Sequence, residues 1–230
     1  MSGQSLKLRF VDGKSTVTET VDVKRCVIAG WTGRDPVALE EHIVELEKLG
    51  VKRPATVPIF YRVAAARLST SDAIEVLGDT SSGEVEFVLY QKGGRLWVGV
   101  GSDHTDREAE TIGITLSKQM CDKPIADEFW AYDDVAAHWD ELQLRAYIVS
   151  DGVRVLYQEG SIASMRSPGD LIGRYDGGAA LPEETMMFCG TFAALGGVRP
   201  SAVFEMELVD PRLGRSIKKL YTIEKLPVLG

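Results

Sequence analysis

Glu84 and Glu86 stand two residues apart in EVEFVLY, and Asp103 follows in GSDHTDRE. Carboxylates two apart on a β-strand point to the same face. Between the two acidic stretches lies Gly93-Gly94, flanked by EVEFVLY and RLWVGVG, which is the chemistry of a two-residue hairpin turn. With that turn at the tip, Lys92 pairs with Arg95, Glu86 with Gly101 and Glu84 with Asp103. Directly opposed residues share a face, with Cβ atoms roughly 5 Å apart. This register therefore gathers Glu84, Glu86 and Asp103, with Gly101 leaving open space beside them. At an effective dielectric near 20 and about 5 Å, each pair of such carboxylates repels by roughly 3 kcal/mol. Water can screen that repulsion, one acid can keep its proton, or a divalent cation can sit among them. An all-oxygen set suits Mg²⁺, Mn²⁺ or Ca²⁺ better than zinc. The alternative is a solvated strand face. Val88 and Tyr90 continue the same face, however, where a plain solvent face would stay polar.

Elements that must position these acids can be read on either side. LKLRF, VDGK and TVTETVDV form an opening hairpin. RDPVALEEHIVELEKLG carries Asp35 as N-cap, Pro36 in the first turn and Gly50 as the stop, with Leu39, Ile43, Leu46 and Leu49 at helical spacing. Strands then dominate: VPIFYRV, VEFVLY, RLWVGVG, LQLRAYIV, VRVLYQ, TMMFCG, AVFEMELV and KKLYTIEKL. Asp151-Gly152 joins two of them as a second tight hairpin. REAETIGITLSKQM reads as helical despite Gly113, and DDVAAHW and SPGDLIGRY as short helices with Asp and Ser caps. The sum is a β-rich α+β domain with many antiparallel pairings. It spans 1–230 as one unit: a hairpin and candidate lid helix over 1–55, then a β-rich metal-binding core over 56–230.

Composition narrows the partners. The 230 residues carry a net charge of −8 with no basic stripe, which excludes a nucleic-acid surface. No apolar run is long enough to span a membrane, and MSGQSLKLRF has no signal-peptide core, so a cytoplasmic protein is expected. Cys26, Cys121 and Cys189 are far apart and odd in number, which argues against disulfides or a thiolate zinc site. Cys189, in MMFCG, reads as a buried packing residue. His104 points away from Asp103's face and reads as a structural hydrogen-bonder, and His138 as packed beside Trp139. No G-x-S-x-G, G-x-G-x-x-G or P-loop is present.

Glu84-x-Glu86 followed by Asp103-x-Thr105-x-Arg107-Glu108 resembles the metal-binding motifs of the fumarylacetoacetate hydrolase superfamily. The similarity continues in order. LSKQM with Lys118 resembles the family's active-site lysine segment. QEGSIASM with Gln158 resembles its RQxGxTxxMIF stretch, and FCGTFAALGGV with Gly190 and Thr191 its late GTPxGVG loop. AVFEMELVDPRLGRSI is similar to its closing strands. His42-x-x-Glu45 is similar to the His-x-x-Glu dyad on the family's lid; residues three apart on a helix can touch, and a carboxylate beside an imidazole raises its basicity. The chain also resembles a bacterial family that shares GSDHTDRE and a GT-x-x-x-LGG loop and has no assigned reaction. Departures from the pattern fall around the pocket: CDKPIADEFW stands where F-x-P-x-G-P is usual, PIFYR replaces Pro-x-x-Phe-x-Lys, and Glu108 replaces an Asp.

The resemblance implies a mixed β-sandwich or roll of the family's C-terminal type with few short helices. It implies that Glu84, Glu86 and Asp103 hold Mg²⁺, or Mn²⁺ or Ca²⁺. It also implies that His42, oriented by Glu45, activates water, and that Lys118 and Thr191 stabilise an oxyanion or carboxylate. Arg107, Gln158 and Gly190 border the substrate; Arg107 reads first as a salt-bridge brace for the acidic loop. The expected activity is metal-dependent hydrolysis of a C–C bond in a small anionic 2-oxo acid or 1,3-dicarbonyl compound, by a homodimer. A dehydratase or decarboxylase of 2-keto-3-deoxy sugar acids uses the same metal–enolate logic. A non-catalytic small-molecule binder on the same scaffold is the third reading.

Overall fold

A computed structural model describes residues 3–48 and 53–229, and in the first helix all side chains but those of His42, Glu45, Leu46 and Lys48. The opening hairpin is β1 (Gln4–Asp12) and β2 (Ser15–Val23), followed by β3 (Arg25–Gly30). Helix α1 (Pro36–Lys48) starts as expected: Asp35 Oδ1 accepts from the backbone N–H groups of Val37 and Ala38. The stop assigned to Gly50 lies outside the described residues. Then come β4 (Ile59–Val63), β5 (Leu68–Ser69), β6 (Ala73–Leu77), β7 (Ser81–Ser82), β8 (Val85–Lys92), β9 (Arg95–Ser102) and β10 (Thr105–Asp106). Helices α2 (Arg107–Ile112) and α3 (Ile114–Met120) precede β11 (Lys123–Pro124), β12 (Glu128–Ala131) and α4 (Tyr132–Val135). The chain closes with β13 (Gln143–Ser150), β14 (Val153–Ser161), α5 (Pro168–Asp176), β15 (Thr185–Phe188), β16 (Val203–Asp210) and β17 (Arg215–Leu226).

Eight strands form one sheet in the order β2-β1-β12-β9-β8-β15-β3-β4, and five form a second in the order β14-β13-β16-β17-β6. Most pairings are antiparallel, but β1 with β12, β15 with β3 and β17 with β6 run parallel. One buried cluster joins the two sheets, with Val85, Phe87 and Leu89 of β8 meeting Leu144, Met206 and Tyr221. The opposite face of the larger sheet holds a second cluster, which includes Leu8 near one margin and Ile28 and Val63 at the other. Residues from both margins can share a core only if the sheet coils round it. Strand β8 therefore lies between two apolar cores, with alternate side chains feeding each. None of the described helices is long and apolar enough to cross a membrane.

Several local expectations change. Gly113 breaks the REAETIGITLSKQM segment into α2 and α3, because its backbone is extended there (φ 179°, ψ 131°). The short helix in DDVAAHW starts one residue before its aspartates, with Ala131 at the N-cap and no side-chain cap, whereas Ser167 does cap α5. Strands β3 and β6 are absent from the strands expected above, although Ser71-Asp72 and Gly78-Asp79 bracket β6. The open space expected beside Gly101 is filled: a Cβ there would lie 2.6 Å from Phe188 Cε1 and 2.8 Å from Val88 Cγ2. Gly101 is thus a packing necessity of the second core. Gly101→Ala is expected to destabilise the protein by about 1–3 kcal/mol, read as a lower urea midpoint with an unchanged slope; an unaltered midpoint would show that Phe188 yields freely.

Candidate metal centre

The central hairpin is built as its sequence dictates. Gly93 and Gly94 both adopt positive φ (60° and 74°), which the tight turn requires. Lys92 pairs with Arg95, Glu86 with Gly101 and Val85 with Ser102. Just past the ladder, the Asp103 N–H donates to the Glu84 carbonyl at 3.0 Å, which completes the expected register. Carboxylate oxygens of Glu84, Glu86 and Asp103 all lie within 4.8 Å of one another. Water does not screen them. Asp103 is fully buried, Glu86 is 2% exposed, and Glu84 is half-buried at the mouth.

Cations of the chain itself answer the charge. Lys118 of α3, buried, pairs with Asp103 Oδ2. Lys123 of β11, fully buried, lies 3.2 Å from Asp103 Oδ1 and also donates to the His104 carbonyl. Arg107 of α2 donates to Glu84 Oε1 at 3.0 Å, to Glu110 at 3.0 Å and to Ser82 Oγ at 2.7 Å. Among the described residues no cation pairs with Glu86; its Oε2 accepts from the Gly190 N–H at 2.6 Å. Burial first and the Asp103 charge second push the Glu86 carboxyl well above the usual carboxylate range. Burial also acts to raise Asp103, but Lys118 and Lys123 overcome it and hold that carboxyl below its ordinary value. Burial lowers Lys118, yet Asp103, Glu84 and Glu86 outweigh it and drive the ammonium upward.

The outer partners hold this arrangement still. The Glu84 N–H donates to Ser102 Oγ, which also accepts from the Tyr221 hydroxyl at 2.9 Å. His104 Nδ1 meets the Tyr221 oxygen and Nε2 the Ser81 oxygen, each at 2.9 Å. Since the Tyr221 proton goes to Ser102, Nδ1 carries the imidazole hydrogen and Nε2 accepts from Ser81. His104 is thus the structural hydrogen-bonder its position on the far face implied. Gln158 spans from β14 to β8 and the late loop: its Oε1 accepts from the Val85 N–H at 3.0 Å, and its Nε2 donates to Thr191 Oγ1 and the Phe192 carbonyl. Thr191 Oγ1 in turn donates to the Val85 carbonyl at 2.7 Å. Elsewhere, His138 Nε2 lies 3.0 Å from Asp210, and Cys189 is buried.

Glu84, Glu86, Lys118, Gly190 and Thr191 all line one cavity of about 440 Å³. The sequence placed each of these at the site. Arg107, read first as a brace, and Gln158 lie outside that lining but border a neighbouring cavity with Glu84 and Thr191; Arg107 braces Glu84, and Gln158's amide is fully engaged. The Gly190 N–H is used by Glu86. His42 and Glu45 belong to α1, but their side chains lie outside the described residues. Leu39, three residues before His42, lines the cavity. Lys123 went unread: a lysine in CDKPIA has no spacing relation to Asp103 and meets it only because β11 pairs parallel with β5 beside the hairpin. Tyr221 was hidden for the same reason, supplied from β17 of the second sheet.

A divalent ion suits this donor set. The ligands are all oxygen, and Asp103 Oδ1, buried and at ion-pair distance from Lys123, has no hydrogen-bond partner of proper direction. A buried carboxylate oxygen without a hydrogen-bond donor, on one of three converging acids, fits a hard cation.

The fold is that of the fumarylacetoacetate hydrolase family. Solved structures with this architecture include a 2-keto-3-deoxyarabinonate dehydratase in a hexagonal crystal form, 13% identical, covering 94% of this chain and 86% of that chain at a TM-score of 0.67. A 2-keto-3-deoxy-D-arabinonate dehydratase complexed with magnesium and 2,5-dioxopentanoate is 14% identical over 94% of this chain and 78% of that one, at 0.66. A yeast fumarylacetoacetate hydrolase family protein is 12% identical over 90% and 95%, at 0.62. Among curated proteins, none matches the chain by sequence. The chain belongs to the family described as "Protein of unknown function (DUF2848)", whose pattern matches residues 29–221.

The centre's support makes a pH prediction. Burial, with Lys123 and Arg107 nearby, depresses His104 from 6.5 to about 3. Between those values the unfolded chain holds the extra proton, so stability is full above about pH 6.5 and falls as the pH drops toward 3. In His104→Asn, the slope of stability against pH in that window is expected to lessen by about 1.4 kcal/mol per pH unit. Denaturant titrations of the metal-free protein from pH 7 down to about 4 measure it; an unchanged slope would show that the imidazole is not held neutral.

Proposed function

We propose that this protein is a divalent-metal-dependent hydrolase of the fumarylacetoacetate hydrolase type that cleaves a C–C bond in a small 2-oxo acid or 1,3-dicarbonyl compound. The observation that carries the reading is the convergence of three carboxylates, two of which line one small cavity together with Lys118. Glu84, Glu86 and Asp103 would hold Mg²⁺, with Mn²⁺ or Ca²⁺ as alternatives of the same oxygen preference. When bound, the ion supplies Lewis acidity toward the oxygens of an oxo acid.

The chain's own groups do the rest. Lys118, which pairs with Asp103 and lines the cavity, would present an ammonium to a substrate carboxylate or developing oxyanion. Thr191 and Gly190 line the same cavity; in this reading Thr191 would join Lys118 in stabilising the oxyanion or carboxylate. His42, oriented by Glu45 on α1, takes a proton from water. Gln158, Arg107 and Lys123 keep the acids in place. The protein acts as a homodimer in this reading.

A second reading, a lyase acting on 2-keto-3-deoxy sugar acids, is supported by the fold shared with a dehydratase that binds magnesium and 2,5-dioxopentanoate. Product analysis separates the two, because hydrolysis gives two fragments and dehydration one. A non-catalytic binder would keep its ligand response without turnover.

Two variants test the centre. Glu84→Gln with Glu86→Gln is expected to abolish Mg²⁺ binding by calorimetry and any turnover of oxo acids; metal-independent turnover in that variant would end the proposal. Lys118→Met removes an ammonium that competes for Asp103. It is expected to bind Mg²⁺ about tenfold more tightly, as loss of a charged hydrogen bond worth about 1.5 kcal/mol implies, while losing turnover. Wild-type Mg²⁺ affinity should rise with pH, because the raised Glu86 carboxyl must give up its proton to the ion.

A further inference from the structure

A second cavity, of about 510 Å³, adjoins the one that Glu84, Glu86 and Lys118 line. The two share Gly33, Leu39 and Ser164 as a common wall. Beyond that wall the second cavity is lined by Arg34, Asp35, Ala38 and Ala163. Arg34 and Asp35 lead into α1, Ala38 and Leu39 lie on its first turn, and Ala163 belongs to the 3₁₀ turn Ile162–Ser164 that follows β14. The common wall is thin at Gly33: a Cβ there would already lie 3.5 Å from Leu39 Cδ1, so a longer side chain would crowd the space between the two cavities.

What this cavity can bind follows from what its polar groups are doing. Arg34 gives both terminal nitrogens to Asp140, at 2.8 Å each, and its Nε to the Met165 carbonyl at 2.8 Å. Asp35 Oδ1 caps α1 through the N–H groups of Val37 and Ala38. Ser164 Oγ donates to the Ser161 carbonyl at 3.0 Å, and the Ser164 carbonyl accepts from the Arg34 N–H at 2.8 Å. The side chains left to meet a ligand are apolar: Ala38, Leu39 and Ala163. A small, mostly apolar hollow of this size is the make-up of a ligand pocket. Its wall is far too short for a protein partner, whose contact takes about 20–30 residues a side.

We infer that this cavity is a subsite for an apolar tail, and that the substrate carries a hydrocarbon chain at the end remote from its oxo-acid or dicarbonyl group, with neither a second carboxylate nor sugar hydroxyls there. The inference rests on the metal-centre reading above. The acids and Lys118 take the oxygen-rich end in one cavity, and the tail passes Leu39 into the other. A tail ending in a carboxylate would meet Asp35 and an Arg34 already paired with Asp140. A hydroxylated tail would set its hydroxyls against Ala38, Leu39 and Ala163, where they find no partner.

The test is calorimetric binding of 2-oxobutanoate, 2-oxohexanoate, 2-oxooctanoate and the dicarboxylate 2-oxooctanedioate to the Mg²⁺-loaded protein. Affinity in the first three is expected to rise with length, by up to about fourfold for each methylene buried, the factor that about 0.8 kcal/mol gives. The dicarboxylate is expected to bind no better than 2-oxobutanoate. Ala163→Phe, which fills the cavity, is expected to abolish the length dependence while leaving the affinities for Mg²⁺ and 2-oxobutanoate unchanged. Ala38→Glu, at an exposed helical position where folding is not at stake, is expected to do the same by placing a charge in the tail's path. Mg²⁺ binding with no gain from 2-oxobutanoate to 2-oxooctanoate, or a gain that survives both variants, overturns the inference and leaves the metal-centre reading standing. So does tighter binding of the dicarboxylate than of 2-oxooctanoate. If wild type binds no Mg²⁺, the metal-centre reading fails and this inference with it.

Discussion

A buried aspartate held between two buried lysines is the interaction on which the rest of this molecule depends. Asp103 has no access to water, and Lys118 and Lys123 approach its two oxygens from different elements. Without them, a carboxylate in this setting would take up a proton, and Glu84 and Glu86 would face a neutral group. With them, three acids stand together in a folded protein: Arg107 answers Glu84, the lysine pair answers Asp103, and Glu86 is eased by one backbone N–H. Removing one partner of such a buried pair leaves an uncompensated charge, which costs far more than the pair itself contributes. The two lysines also divide the work. Lys123 is locked to the His104 carbonyl, whereas Lys118 lines the cavity.

The surrounding architecture follows from where those charges must sit. Strand β8 alternates between two apolar cores, and Glu86 falls on the face that Val88 and Tyr90 continue. The polar centre can exist only where that core stops, at the open end of the central hairpin. Every neighbour there is fixed from another element. The second sheet sends Tyr221 to Ser102 and Gln158 to Val85, and the loop after β15 sends Gly190 to Glu86. The five-stranded sheet is therefore part of the site's scaffold, not merely a cover for the core.

Much of this was legible in the sequence because two local rules bear on it directly. A Gly-Gly turn fixes register, register fixes which side chains oppose, and so EVE and SDH converge without any knowledge of the fold. The Asp35 cap and the Asp151-Gly152 turn were equally local. What stayed hidden is what non-local pairing supplies: Lys123 from a two-residue parallel bridge, and Tyr221 from the second sheet. Gly101 shows the limit of a register argument. Its partner was right, but the space beside it was taken by Phe188, a residue from β15 that no hairpin arithmetic could place.

The same accounting of committed groups bears on where a base for the proposed reaction must come from. Thr191, Ser164 and the Gly190 N–H are spent on the protein itself, and Thr32 is a hydroxyl of ordinary acidity. The described lining residues include no imidazole, and the glutamates there are wanted as ligands. Lys118 is held strongly protonated by the acids around it, so it can stabilise negative charge but not accept a proton. The one element against the cavity with an imidazole in its sequence is α1, whose Leu39 already reaches the lining and whose next turn carries His42 and, three residues on, Glu45. A helix is also the right carrier for such a dyad, because a spacing of three lets a carboxylate steady the imidazole. In the proposed reading, then, charge is managed by the rigid hairpin and its lysines, while proton transfer is delegated to the helix alongside.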